Sequence, residues 1–171
     1  MRWILLAAVT VAAALALAAL IGWRLPRAHR ASREQIMAAT PESIWAAITD
    51  VGAFPSWRTD VKKVRPLPDR DGRRAWVEEG GSGKITFVVE RTEAPRLLVT
   101  RIADPDLPFG GTWTYDITPV AQGTRLRITE DGEIYNPVFR FMARFILGCE
   151  GTMATYFAAL ERRVERRPNG S

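Results

Sequence analysis

Hydrophobic positions fall into three regimes along the chain. From Trp3 to Trp23 the run WILLAAVTVAAALALAALIGW carries no charge. As a helix it spans about 31 Å at about 1.5 Å per residue, which matches a hydrocarbon core about 30 Å thick. Such a helix pairs every backbone N–H and C=O internally, as lipid requires, and a Trp at each end suits the two interfaces. The competing reading is a cleaved signal peptide with Ala16-Leu17-Ala18 as its small-residue site. The apolar run continues to Trp23, beyond the roughly 7–15 residues that a signal peptide needs, and this favours a retained anchor over residues 1–23.

The second regime is short and alternating. Residues 24–30 read as a basic linker holding Pro26, and Ala31 to Ala38 as a first strand. Thr40-Pro41-Glu42 opens a helix: Thr caps, Pro tolerates the first helical position, and Glu suits the positive end. Ile44, Ile48 and Val51 recur at helical spacing until Gly52, and Phe54, Pro55 and Trp57 sit in a second short helix over Ala53 to Arg58. Strands follow over Val61–Leu67, Arg74–Glu79, Lys84–Thr92, Arg96–Ala103, Thr112–Thr118 and Thr124–Tyr135, separated by Gly, Pro and Asp turns. Ile85, Phe87 and Val89 share one face, as do Trp113, Tyr115 and Ile117, and Leu126, Ile128, Glu130 and Ile134.

The third regime is helical. Val138, Met142, Phe145, Ile146, Cys149, Met153, Tyr156 or Phe157, Leu160 and Val164 form one apolar stripe, which predicts a continuous helix over Pro137 to Arg166. Residues 167–171 read as a disordered tail. Strands joined by short turns imply an antiparallel meander, and one apolar face of that meander must be covered. The long helix is the only element large enough. The expected fold is therefore α+β: a curved antiparallel sheet of about seven strands wrapped around a C-terminal helix, with a cavity between them.

Composition narrows the chemistry. One Cys and one His (His29) exclude a disulfide framework and leave no His- or Cys-rich metal centre. The net charge of +5 is concentrated in the first 30 residues; the remainder holds 20 basic and 19 acidic residues. No nucleic-acid face is implied. The cluster Arg24, Arg27, Arg30 and Arg33 after the apolar run places the folded part in the cytoplasm by the positive-inside rule, against the pull of Arg2. The chain then reads as a single-pass protein of a bacterial-type inner membrane. His29 lies at the membrane surface without an assigned role.

Ala39-Thr40-Pro41-Glu42-Ser43-Ile44-Trp45, Ile48, Asp50 and Phe54-Pro55-Ser56-Trp57 resemble the opening of START-like helix-grip domains. More narrowly, the chain resembles the polyketide cyclase/dehydrase and lipid-transport group of the SRPBCC superfamily. Phe109-Gly110-Gly111-Thr112-Trp113-Thr114-Tyr115, the Gly123-Thr124-Arg125-Leu126 segment and the terminal helix fit as well. The resemblance covers Ala31 to Val164 and implies either a hydrophobic-ligand carrier or a cyclase, since one fold hosts both.

Trp76, Phe87, Trp113, Tyr115, Met142, Phe145, Met153 and Phe157 are the candidate lining of a ligand cavity; an ordinary filled core is the alternative. Glu130 is the candidate acid or base, because a carboxylate in a low-polarity cavity has a raised pKa; a hydrated or Arg-paired strand end is the alternative. Glu78 and Glu90 are weaker candidates, with Arg101 as a possible charged partner. Pro108, Phe109 and Gly110 belong to a loop that would gate the cavity; a rigid connection between strands is the alternative. Gly80-Gly81-Ser82-Gly83-Lys84 lacks the first Gly and the hydroxyl of a phosphate loop and reads as a hairpin. Trp57 reads as a plug fixing its short helix on the sheet; a place at the border of a ligand entrance is the alternative. Phe139, Phe141 and Leu147 beside Arg140 and Arg144 would touch lipid headgroups or a second subunit, unless preceding loops bury them. The leading function is a membrane-anchored domain that binds a hydrophobic small molecule or lipid. The alternatives are a cyclase or dehydratase and an interaction module with a vestigial cavity. No cofactor or metal is expected, and the oligomeric state is open.

Overall fold

The computed structural model describes residues 2–81, 83–147 and 151–165. Helix α1 (Arg2–Arg24) leads into β1 (Ala28–Met37), α2 (Pro41–Thr49) and a 3-10 turn (Val51–Ser56). Six strands follow: β2 (Val61–Arg70), β3 (Arg73–Gly80), β4 (Gly83–Glu93), β5 (Leu97–Ile102), β6 (Phe109–Val120) and β7 (Gly123–Ile134). The chain continues through α3 (Pro137–Met142), a π turn (Ala143–Leu147) and α4 (Gly151–Glu165). The seven strands form one antiparallel sheet in the order β1-β7-β6-β5-β4-β3-β2. The meander of β2 to β7 comes from short turns, and β1 returns to the edge beside β7. The α+β helix-grip architecture expected from the pattern is present.

Local chemistry accounts for the helix starts. Thr40 accepts a hydrogen bond from the Ser43 amide at 3.2 Å with Pro41 at the first helical position, which satisfies one of the orphan amides of α2. Asn136 does the same for Phe139 at 3.0 Å, with Pro137 opening α3.

The core lies between the sheet and α4. Met153, Phe157, Leu160 and Val164 of α4 pack on Leu98, Tyr115, Ile117, Leu126 and Ile128 of the sheet and on Ile44 and Ile48 of α2. A second cluster of Val51, Phe54, Val61 and Trp76 sits under the 3-10 turn, and Trp57 and Val89 touch both clusters.

Three boundaries differ from the sequence expectation. Strand β1 begins at Ala28, so His29 and Arg30 belong to the sheet and not to a linker; they pair with Gly132 and Asp131 of the long β7. Strand β6 begins at Phe109, so Phe109 and Gly110 of the expected gate loop are strand residues opposite Ile134 and Glu133. The terminal helix is not one continuous rod: α3 gives way to the π turn, and α3 packs on α1. The backbone explains the last point. Pro137 approaches Gly22 so closely that a Cβ on Gly22 would lie 1.8 Å from the Pro137 carbonyl oxygen. Cys149, Arg166 and the tail from residue 167 lie outside the described residues.

Candidate functional site

Alternation along the strands sends Trp76 and Glu78 of β3, Phe87 and Val89 of β4, Leu98 and Thr100 of β5, and Trp113 and Tyr115 of β6 to the face that meets α4. The register bears this out: Trp76 lies opposite Phe87, Thr100 opposite Trp113 and Leu98 opposite Tyr115. The Trp76 and Phe87 rings stack at 5.6 Å. Tyr156 of α4 meets Trp57, Trp113 and Tyr115 with ring centroids 5.6–6.0 Å apart. Aromatic side chains thus surround the inner face near α4.

A buried polar cluster lies among these rings. Glu78 is 7% exposed. One carboxylate oxygen accepts from the Trp76 indole N–H at 2.9 Å, and the other is 3.1 Å from an Arg58 guanidinium nitrogen. Arg58 also reaches Asp60 at 2.6 Å and covers the Phe54 and Tyr156 rings at 5.0 and 5.4 Å. Such a cation over two rings is favourable electrostatically. Burial pushes the Glu78 carboxyl above its ordinary range, opposed by the Arg58 charge and the Trp76 hydrogen bond. Burial works against the charge on Arg58, yet the Asp60 hydrogen bond and the Glu78 charge outweigh it and hold the guanidinium firmly protonated.

Two tyrosines complete the cluster. Burial pushes the Tyr115 hydroxyl up to about 12, with Thr100 and Tyr156 beside it. Tyr156 is raised well above its ordinary value, again mainly by burial. The Tyr156 hydroxyl interacts with the Tyr115 hydroxyl both by a side-chain hydrogen bond and electrostatically, though the geometry falls short of a well-formed bond. The Trp57 indole N–H is buried without a partner among the described residues, and the Trp57 ring meets the Tyr156 ring edge-on. Buried donors and acceptors in folded proteins are overwhelmingly paired, so the unpaired Trp57 N–H stands out among these rings.

The sequence candidates divide into three groups. Trp113, Tyr115, Met153 and Phe157 come together in the main core, and Trp76 and Phe87 join the adjoining cluster. Glu130 has the inward parity of Leu126 and Ile128, with no register slip at Gly132, and lies opposite Trp113, but its ionic partner is His29 and not Arg58. Its side chain is 23% exposed and lies 3.4 Å from His29 Nε2. His29 packs over Gly132, where a Cβ would come within 2.2 Å of the ring, so this histidine has a structural place that its sequence position did not suggest. Met142 and Phe145 are separated from the others: they follow α3 away from the sheet, and Phe145 is 59% exposed. Pro108 and Phe109 lie beside the start of α3, with Phe109 stacked on Phe139 at 5.9 Å and the Pro108 carbonyl accepting from the Tyr135 amide. Glu90 pairs with Arg101 on the surface. Among the described residues no group of three or more His, Cys, Asp or Glu is placed to hold a metal ion.

The family model for polyketide cyclase / dehydrase and lipid transport matches residues 28–165. The chain belongs to this family. No curated protein matches. Among solved structures, a START superfamily protein from Mycobacterium smegmatis is 23% identical with a TM-score of 0.65, over 81% of this chain and 98% of that one. The ZhuI aromatase/cyclase from Streptomyces sp. R1128 is 14% identical with a TM-score of 0.65, over 82% and 95%. Norcoclaurine synthase from Thalictrum flavum is 13% identical with a TM-score of 0.63, over 82% and 88%. At these identities the likeness shows the helix-grip fold, and the site must speak for itself.

Within this helix-grip domain, sequence reasoning missed Arg58 and Thr100 and placed Tyr156 only on a packing stripe. Arg58 directly follows the Phe54-Pro55-Ser56-Trp57 motif, and its proximity to that rigid turn was the available signal. Its partner Glu78 lies 20 residues away on β3, and nothing local in the sequence pairs them.

Proposed function

We propose that this domain binds a hydrophobic small molecule between the concave sheet and α4, with the molecule's polar end at Arg58, Glu78, Tyr115 and Tyr156. The observation that carries the reading is the buried, unpartnered Trp57 Nε1 donor inside an aromatic wall, with the Tyr156 ring against it. A carbonyl or hydroxyl oxygen on the ligand would accept from that N–H. The aromatic rings would supply the apolar contact that such sites use.

The apolar α1, with a mean hydropathy of 2.8 over its most apolar stretch, serves as a single-pass anchor in this reading, with the domain in the cytoplasm. Tethering keeps the domain at high local concentration beside membrane-dissolved ligand, so modest affinity suffices.

Native mass spectrometry of the detergent-extracted full chain tests the proposal. A hydrophobic molecule carrying an oxygen function should co-purify, and Tyr156→Phe should lower its occupancy while leaving the fold intact. Absence of any such molecule, together with no uptake of a fatty-acyl fluorescent probe, would overturn it.

A second reading, a cyclase or dehydratase, draws on the raised Glu78 carboxyl beside two tyrosine hydroxyls. Such a carboxyl can exchange a proton with a bound substrate, which moves the acid-base role from Glu130 to Glu78. Chemical conversion of the bound molecule by the wild type, lost in Glu78→Gln with binding retained, would select this reading over simple carriage.

A further inference from the structure

Helix α1 does not hang free of the folded domain. Trp3 to Leu17, Leu20 and Trp23 are exposed, but Ala18, Ala19 and Ile21 are half-buried and Gly22 is buried. The element against them is α3, with the Pro137 backbone pressed on Gly22. Arg140 closes the junction: it is 4% exposed and donates to the Leu25 carbonyl at 2.8 Å. A cation at that carbonyl also suits the negative C-terminal end of α1.

Depth follows from helix geometry. Ala18 precedes Trp23 by five residues, or about 7 Å at 1.5 Å per residue. An element that covers the last two turns of a spanning helix lies at the depth of those turns. The segment 137–147 has the composition for that place. It holds Phe139, Phe141 and Phe145, two arginines and no acid. Phe145 is exposed, meets the Phe141 ring at 5.1 Å, and carries the Arg144 guanidinium 5.8 Å above its ring. An exposed Phe145 with the half-buried Phe141 behind it and a cation beside it suits the headgroup and acyl boundary.

We infer that residues 137–147 are embedded in the interface of the bilayer that α1 spans, with Phe141 and Phe145 at the acyl boundary and Arg24, Arg27 and Arg144 at lipid phosphates. This inference rests on the anchor reading of α1 given above. It commits the exposed aromatic face to one partner, the phospholipid leaflet on the domain's side. It also turns the rim of the sheet at Pro108 and Phe109 toward that leaflet, because Phe109 stacks on Phe139. A hydrophobic ligand would then pass between leaflet and domain without crossing water.

The test uses the full chain in vesicles of phosphatidylcholine and phosphatidylglycerol, with the single native cysteine removed by Cys149→Ser. An environment-sensitive fluorophore is placed by Phe145→Cys, by Leu15→Cys in the middle of α1, and by Gln122→Cys on the turn at the opposite end of β6. Phe145 and Gln122 are both exposed, so neither label disturbs packing. The label at 145 should be quenched by shallow doxyl lipid and shielded several-fold from iodide relative to the label at 122. The label at 15 should be quenched by deep doxyl lipid. If 15 is quenched by lipid while 145 behaves like 122, α1 spans and the inference is wrong. If 15 is itself open to iodide and untouched by doxyl lipid, the anchor reading falls and this inference falls with it. A second label at Arg144→Cys, also exposed, should report the same shallow depth; iodide access there equal to that at 122 would contradict the placement.

Discussion

The two helical segments that end the chain share an apolar periodicity but do different work. In α4, Met153, Phe157, Leu160 and Val164 are 0–6% exposed and form the core against the sheet. In the α3 segment, Phe145 stands 59% exposed, and the packed surface faces α1. A hydrophobic stripe therefore shows that a segment has an apolar partner without saying whether that partner is the sheet, another helix or lipid. The same contrast separates two inward carboxylates. Glu78 is buried between Arg58 and Trp76, whereas Glu130 meets His29 with both side chains partly exposed.

Truncation should show the contrast most strongly. Phe157→Ala removes a side chain that is 1% exposed in the main core and is expected to cost about 3–5 kcal/mol, seen as a lower midpoint in denaturant unfolding. A loss below 1 kcal/mol would indicate loose packing at α4. Next in size, Glu78→Ala leaves Arg58 buried with Asp60 alone. A cost of roughly 3 kcal/mol is expected for breaking a buried pair. Glu130→Ala should cost roughly 0–1 kcal/mol, as for a partly exposed pair. Equal costs would erase the distinction between the two carboxylates.

The pH dependence sharpens the same distinction more subtly. A carboxyl raised in the folded state binds more protons folded than unfolded, so its contribution to stability falls as pH rises from the ordinary value of 4.5 through the folded pKa. Wild type should lose stability over that window relative to Glu78→Gln, whose curve should be flatter. Parallel curves would remove Glu78 from that role. Smallest of all, Phe145→Ala should change unfolding stability in detergent by no more than about 0.5 kcal/mol, because the ring is already exposed. A larger loss would mean that the α3 segment is held by the protein and not by the bilayer.

Much of this was legible in residue order. The 3.6-residue spacing of Ile44 and Ile48, the cap at Thr40 and the alternation through Trp113, Tyr115 and Ile117 depend on neighbours a few residues away. Those neighbours are fixed by sequence. The inward parity of Glu130 was legible for the same reason. Its partner was not, because His29 reaches it only when β1 closes beside β7, about 100 positions apart in the chain.

The sequence by itself determined the apolar first helix, the antiparallel meander of six strands and an amphipathic C-terminal region, because each is written in a local period of hydrophobic and polar residues. Only the tertiary structure decided that this region divides at residues 143–147, that Pro137 seats on Gly22, and that Arg58 and Glu78 share a buried site with Tyr115 and Tyr156. The physical reason is common to all three. Periodicity specifies which face of a segment avoids water, while the choice of what covers that face is made by close packing between elements distant in sequence, where a missing Cβ or one buried charge outweighs any local preference.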